Sequence, residues 1–165
     1  MVWALGAYRG PLRRAITGLK YRHERDRATV LGRLVADYLL DHLPWFEETE
    51  VIVPMVGGHT EAIASSAAAR LQGLWPVVPV LAKATATRPM VSLPSAAARR
   101  LWAACDLRPS LRVTQPGWIR GRRVLVIDDV FTDGSTLREV AGVLRRAGAE
   151  AVSGLVLARA PRWYP

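Results

Sequence analysis

Residues 124–136, VLVIDDVFTDGST, constrain the fold more than any other stretch of the chain. The first four residues are valine, leucine and isoleucine, a pattern typical of a buried strand. Asp128 and Asp129 follow at once, and a short loop of hydroxyl residues and glycine then leads into a helical pattern. A strand that passes through two acids and turns directly into a helix predicts a site for a polar ligand at the junction.

Helical and strand patterns alternate along the rest of the chain. Helices are predicted over residues 10–21, 26–43, 60–72 and 135–147, and strands over residues 50–54, 75–81 and 151–158 besides the strand that begins at Val124. Asp26 is placed to cap the second helix, and Pro44 to end it. This alternation predicts an α/β fold, an open and mostly parallel sheet with helices on both faces.

The domain organisation follows from the same pattern. A chain of 165 residues fits one domain, with N-terminal helices in residues 1–45 and an α/β core in residues 46–165. Residues 83–120 contain four prolines and are predicted to form a partly irregular loop that covers the site.

Composition narrows the class of partner. The formal net charge of +9 favours anionic partners such as phosphates, nucleotides or nucleic acid. The single cysteine, Cys105, excludes an internal disulfide framework and a multi-cysteine zinc site. No apolar run approaches the roughly 20 residues that span a bilayer, and the start of the sequence lacks the basic region and cleavage-like site of a signal peptide. A cytoplasmic protein without a membrane span is therefore expected.

The junction of strand and helix defines the candidate ligand. In open α/β sheets ligands bind beyond the carboxyl ends of the strands, and a glycine-containing loop at a helix N-terminus favours anions. Asp128 and Asp129 would accept hydrogen bonds from sugar hydroxyls and attract magnesium. The residues placed to hold a phosphate are Thr132, Asp133, Gly134, Ser135 and Thr136. Ribose 5-phosphate is the simplest group that offers hydroxyls to the two acids and a phosphate to the loop.

A receiver-like magnesium site is the alternative for two acids at the end of a strand. It would need a further acceptor aspartate and a lysine at the ends of later strands, and the last predicted strand provides neither.

The segment resembles the phosphoribosyl-diphosphate (PRPP) binding motif of type I phosphoribosyltransferases, in which a hydrophobic strand leads into two acids and a Thr/Gly loop. The wider chain resembles the ComF (competence protein F) group of that superfamily through YRGPLRRAITGLKYRHERD, VIVP, DDV, GST and LRRAGAEAVSGLVLAR, in that order. The resemblance implies PRPP or a nucleoside monophosphate as ligand, with Mg²⁺, and a role in natural competence and DNA uptake. It implies Asp128 and Asp129 as catalytic residues that contact magnesium indirectly.

The sequence departs from the ComF pattern on the diphosphate side. That group usually opens with a four-cysteine zinc ribbon, which one cysteine cannot form, so no zinc is expected. Residues 57–61 read GGHTE where an arginine-containing run is usual, and no asparagine follows Arg99 or Arg100 in the covering loop. The candidates left for the diphosphate are Gly57, Gly58, His59, Arg99 and Arg100. Because the residues that usually bind the diphosphate are largely missing, ribose 5-phosphate is expected to bind nearly as well as PRPP.

Asp133 stands where the resembled motif usually has threonine. A carboxylate about 5 Å from a phosphate charge would cost about 3 kcal/mol at an effective dielectric near 20. We therefore expect its side chain to turn outward and cap the helix that begins near Ser135.

Two function classes stay open at the level of sequence. One is a transferase that moves the ribose 5-phosphate of PRPP onto a nitrogen nucleophile. The other is a non-catalytic nucleotide-sensing or docking module for single-stranded DNA or a DNA-processing protein, and a homodimer is also left open. The DNA-binding candidates are Arg13, Arg14, Lys20 and Arg22, although the same residues fit the solvated side of helices.

Overall fold

The computed structural model describes residues 1–22, 24–85, 93 and 95–161. The strands are β1 (Val2–Ala7), β2 (Val51–Pro54), β3 (Leu81–Lys83), β4 (Leu111–Val113), β5 (Arg123–Phe131) and β6 (Ala151–Arg159). The α-helices are α1 (Gly10–Arg22), α2 (Asp26–Asp41), α3 (Leu43–Phe46), α4 (Gly58–Arg70), α5 (Ala96–Trp102), α6 (Arg108–Ser110) and α7 (Ser135–Arg146). A π-helical turn, Ala103–Leu107, joins α5 to α6, and a 3₁₀ turn, Pro116–Trp118, precedes β5.

Four strands form a parallel sheet in the order β1-β6-β5-β2, and β3 and β4 form a separate antiparallel pair. Alternate residues of the central strands enter two hydrophobic clusters. Leu125 packs in the cluster that also contains Leu31 of α2, while Val126 packs in the cluster that contains Val140 of α7. The predicted α/β fold with a parallel sheet covered by helices is therefore confirmed.

Close packing of α2 on α4 fixes the position of the helix that follows β2. A Cβ atom added to Gly32 would lie 2.6 Å from Ser66 Cβ and 2.8 Å from the carbonyl oxygen of Ile63. Only glycine allows the two helices to approach this closely. The N-terminus of α4 is thereby held at the edge of the sheet where β2 ends.

Three N-terminal features differ from the sequence prediction. Residues 2–7, which were assigned to an N-terminal helical region over residues 1–45, form the edge strand β1, because β6 offers a parallel partner about 150 positions later. Asp26 lies in the first turn of α2 rather than at its cap, and Pro44 starts the short helix α3 instead of ending α2.

Of the predicted strand over residues 75–81, Val77 forms an isolated bridge with Ile52, and Leu81 begins β3. Pro76 and Pro79 lack the N–H donors that a longer ladder needs. Within the predicted covering loop, residues 86–92 and 94 lie outside the described residues. The rest is more regular than expected, because Pro109 and Pro116 occupy first-turn positions of short helices, where proline is favoured.

Strand β5 is longer than predicted and includes the acid pair. Its pairing with β2 stops at Ile127, whereas its pairing with β6 continues to Phe131. Asp128 and Asp129 therefore lie inside β5, at the level where its neighbour β2 has already ended. No helix in the described part of the chain is long and apolar enough to cross a membrane.

Candidate functional site

A pocket of about 250 Å³ lies at the carboxyl edge of the sheet, beyond the end of β2. Six elements contribute to its wall: α1, the start of α4, β3, α5, the end of β5 and the start of α7. The early end of β2 leaves room beside β5, and the acid pair lines that room. The position is the one at which open α/β sheets bind their ligands.

Asp128 and Asp129 are among the few buried charged residues of the described chain, with 9% and 5% of their surface exposed. Backbone groups hold both side chains, since the Asp129 amide donates to Asp128 Oδ1 at 2.8 Å and the Val130 amide donates to Asp129 Oδ1 at 2.6 Å. One oxygen of each carboxylate is thus fixed by the chain itself, and the orientation of both acids is set before any ligand arrives.

The second oxygen of Asp129 binds two basic side chains. Lys20 Nζ, from the last turn of α1, donates to Asp129 Oδ2 at 2.8 Å. His59 Nε2, from the first turn of α4, donates to the same oxygen at 2.9 Å. Three segments that are far apart in sequence therefore meet at one carboxylate oxygen.

The two acids have opposite pKa shifts. Burial and the adjacent charge of Asp129 raise the pKa of Asp128 to about 7. Burial acts on Asp129 in the same direction, but the hydrogen bond from His59 and the charge of Lys20 outweigh it and hold the pKa of Asp129 below its usual value. At neutral pH the pair consists of one firmly ionised carboxylate and one that exchanges its proton readily.

The loop between β5 and α7 supplies the hydroxyl groups. Thr132, Gly134 and Thr136 line the pocket, whereas Ser135 is buried and donates its hydroxyl to Asp133 Oδ1 at 2.6 Å. Gly134 has φ +76°, and an added Cβ would lie 2.9 Å from the ring of Phe131. This tight turn points the N-terminus of α7 at the pocket, where its dipole and amide groups favour an anion.

Asp133 is directed at the helix and not at the pocket. Its Oδ1 accepts from the Ser135 amide at 3.1 Å, and Arg99 Nε donates to its Oδ2 at 3.2 Å. Burial would raise the pKa of Asp133, but the hydrogen bonds from Ser135 and Arg99 outweigh burial and lower it. The negative charge in the loop is therefore neutralised by helix and guanidinium, which removes the repulsion expected against a bound phosphate.

On the diphosphate side, His59 and Thr60 line the pocket at the start of α4. Gly57 has φ +146°, and an added Cβ would lie 3.1 Å from the His59 ring, so glycine lets this ring fold back toward the pocket. Glu61 is exposed and does not line the pocket. The acid that replaces the usual residue of this loop is therefore turned away from the ligand region.

Residues 31–164 match the phosphoribosyl transferase domain family. The chain belongs to this family. In two solved structures a similar fold covers 78% of this chain and 25% of theirs, at a TM-score of 0.50. These are the allosteric regulatory enzyme of purine biosynthesis, 25% identical, and the B. subtilis glutamine PRPP amidotransferase complexed with ADP and GMP, 24% identical.

Curated relatives match over shorter stretches. Orotate phosphoribosyltransferase of Xanthomonas campestris pv. campestris is 48% identical over 40 residues, which are 24% of this chain and 18% of the relative. The DNA utilization protein YhgH of Escherichia coli is 41% identical over 54 residues, which are 33% of this chain and 23% of the relative. The chain thus spans about a fifth of the length of the curated relatives that it matches.

The phosphoribosyltransferase fold raises the question of magnesium. The acid pair does not fit a metal ion held directly by protein, because Asp129 Oδ2 already binds Lys20 and His59 and one oxygen of each acid accepts a backbone amide. Among the described residues, no group of three or more His, Cys, Asp or Glu side chains is arranged to hold a metal.

Several residues of this phosphoribosyltransferase domain lie elsewhere than the sequence indicated. Lys20, a DNA-binding candidate by sequence, lies in the pocket, while Arg13, Arg14 and Arg22 are exposed on α1. Arg99 binds Asp133 and does not line the pocket, and Arg100 is exposed on α5.

Lys83 and Trp102 also line the pocket, and sequence analysis missed both as site residues. The signal for Trp102 was present, because Ser95 followed by three alanines marks the capped start of the helix that carries it. Within the described residues, the buried indole nitrogen of Trp102 has no hydrogen-bond partner.

Proposed function

We propose that this phosphoribosyltransferase domain binds PRPP, or a nucleotide that contains ribose 5-phosphate, in the pocket beyond β2. One observation carries the proposal: the acid pair of β5 and the hydroxyl loop at the start of α7 line the same pocket. A ligand with a phosphate and a vicinal diol matches both, because hydroxyl and amide donors suit the phosphate and carboxylates suit the diol.

The loop over residues 132–136 is the proposed 5′-phosphate site. Thr132 and Thr136 offer hydroxyl donors there, and α7 offers its N-terminal amide groups. Asp128 and Asp129 would then accept from the ribose hydroxyls. Asp129 Oδ2 can accept such a bond only if Lys20 or His59 weakens or breaks its own hydrogen bond to that oxygen.

In a transferase reaction the bond between the anomeric carbon and the diphosphate oxygen breaks, and a nitrogen nucleophile forms the new bond and loses its proton. The ribose ring gains positive charge in between, which the ionised Asp129 would stabilise electrostatically. Trp102, from the covering segment, closes one side of the pocket and would help to exclude water. Magnesium would accompany the diphosphate as part of the substrate.

The finer proposal is a ComF-type protein that acts in DNA uptake. The match to a DNA utilization protein supports it, together with the motif order from residue 8 to residue 159. A binding module without turnover is the second candidate, since the loop over residues 57–61 lacks the arginine that would hold a leaving diphosphate.

Calorimetry tests the proposed site. PRPP with Mg²⁺ is titrated into the parent protein, into an Asp128→Asn/Asp129→Asn variant and into a Glu61→Gln control, which removes a charge outside the pocket. We expect the acid-pair variant to lose at least tenfold in affinity and the control to match the parent. Equal affinity in all three proteins would contradict the site. Consumption of PRPP with a panel of nucleobases then distinguishes a transferase from a binding module.

A further inference from the structure

Lys20 is held in the pocket by the packing of its own helix. Ile16 and Leu19, on the adjoining face of α1, are buried in the hydrophobic cluster that underlies the sheet. The Lys20 side chain remains about one-third exposed, and its ammonium group lies 2.8 Å from Asp129 Oδ2 across 109 positions of sequence. The helix is therefore fixed, while the charged end of the side chain stays within reach of a ligand.

His59, at the start of α4, bonds to the same oxygen of Asp129. Its side chain is 25% exposed, and its ring lines the pocket where α4 begins. The first turn of α4 contains amide groups whose dipole favours negative charge at this point. A basic pair, Lys20 and His59, thus stands beside a helix N-terminus and faces the pocket.

The other cations that the sequence offered for this side do not have this arrangement. Arg99 binds Asp133 at 3.2 Å, outside the pocket lining, and Arg100 is exposed on α5. Lys83 also lines the pocket, from β3. The side chains of Lys20 and His59 both bond to Asp129 Oδ2.

We propose that Lys20 and His59 bind the diphosphate of PRPP, so that they determine the preference for PRPP over ribose 5-phosphate. Asp129 Oδ2 bonds to both members of the basic pair. Diphosphate oxygens would compete for these donors, and each donor that moves to the ligand leaves Asp129 Oδ2 able to accept from a ribose hydroxyl. When Lys20 and His59 move from Asp129 to the diphosphate, the diphosphate gains its donors and Asp129 becomes available to the ribose.

This inference rests on the proposed function and predicts the opposite of the sequence-based expectation that ribose 5-phosphate binds nearly as well as PRPP. It assigns the role of the missing loop arginine to a lysine from α1. A charge-assisted hydrogen bond typically changes affinity by about tenfold or more, so the preference should be measurable with one substitution.

The test compares two ligands in four proteins. PRPP with Mg²⁺ and ribose 5-phosphate are each titrated by calorimetry into the parent, Lys20→Met, Lys20→Arg and Arg22→Met. The Arg22→Met control removes one exposed positive charge from the same turn of α1. We expect Lys20→Met to weaken PRPP binding at least tenfold and ribose 5-phosphate binding less than about threefold. Lys20→Arg should retain most of the PRPP affinity, and Arg22→Met should bind like the parent.

Two outcomes would overturn the inference while the proposed function stands. Equal losses for both ligands in Lys20→Met would mean that Lys20 only positions Asp129, and unchanged affinity for both would mean that it does not contact the diphosphate. A parent protein that binds neither ligand would overturn the proposed function and this inference together. Circular dichroism of each variant confirms that the fold is intact, and Lys20→Arg provides a second reading if Lys20→Met does not fold.

Discussion

The two halves of the candidate site are built in different ways. The ribose-phosphate half, residues 128–136, is one continuous segment in which a strand, a turn and a helix start follow each other. The proposed diphosphate half consists of Lys20, His59 and the start of α4, which the fold brings together from separate helices. The first half owes its geometry to local backbone conformation, and the second to tertiary packing. Substitutions in the first half should therefore reduce binding by distorting the backbone, and those in the second half by removing side chains that tertiary packing brings together.

The largest effect is expected from Gly134→Ala, because the local geometry of the ribose-phosphate half depends on this turn. Alanine is strained at φ +76° and would bring its Cβ to 2.9 Å from the Phe131 ring. We expect a loss of about 1–3 kcal/mol in the free energy of unfolding and at least a tenfold loss of affinity for ribose 5-phosphate. Urea unfolding and calorimetry measure the two quantities.

Gly121→Ala is the matched control for that change. Gly121 has φ +68°, but an added Cβ would meet no atom within 4 Å. The control should show the strain of a left-handed alanine without the clash, and its ligand affinity should match the parent. Equal losses of affinity in both variants would show that the turn at Gly134 has no particular role in ligand binding.

A second prediction concerns the pH dependence of stability. The pKa of Asp128 is raised to about 7, so the folded state keeps a proton that the unfolded state loses above its ordinary pKa near 4. Stability from this group therefore falls as pH rises from about 4 to about 7. At pH 8 the free energy of unfolding of Asp128→Asn, measured with urea, should exceed that of the parent by on the order of 1–3 kcal/mol. The difference should shrink toward pH 5.

Asp133→Asn is the control with the opposite sign. The pKa of Asp133 is lowered, so its contribution to stability is present at neutral pH and is lost as pH falls below its unfolded value. This variant should be less stable than the parent at pH 7, and the difference should shrink as pH falls below about 4. The assigned environments of the two acids would be wrong if both variants shifted stability in the same direction at pH 7 and above.

The smallest effect is expected from Arg99→Met, which tests whether Arg99 belongs to the diphosphate half. Arg99 binds Asp133 outside the pocket, and the Ser135 amide and hydroxyl would still hold the Asp133 carboxylate against the helix without it. We therefore expect less than a threefold change in PRPP affinity and a stability loss of about 0.5–1 kcal/mol. Arg100→Met, at the exposed neighbouring position, serves as control. A tenfold loss in Arg99→Met alone would mean that Arg99 leaves Asp133 and joins the ligand.

This contrast also explains which parts the sequence could predict. The strand, acid pair and helix start of residues 124–136 were predictable, because each signal lies within a few residues of the next. That Lys20 reaches Asp129 was not, since the pairing depends on how α1 packs 109 positions away. In residues 83–120 the prolines masked short helices, and Val2–Ala7 became a strand only through β6. Lys20 and β1 were therefore missed because their partners are distant in the chain, whereas the short helices were missed because proline in a first turn looks like a loop signal.

The position of β1 has a consequence for how the protein is synthesised. Val2 pairs with Gly154, and Ala7 with Arg159, so β1 leaves the ribosome about 150 residues before the strand with which it pairs. Closing a loop of about 150 residues carries a high entropy cost and slows folding. Until β6 emerges, β1 has no neighbour in the sheet, and β5 lacks the strand that pairs with it as far as Phe131. A nascent chain would therefore complete the pocket at the end of β5 only after β6 has been synthesised.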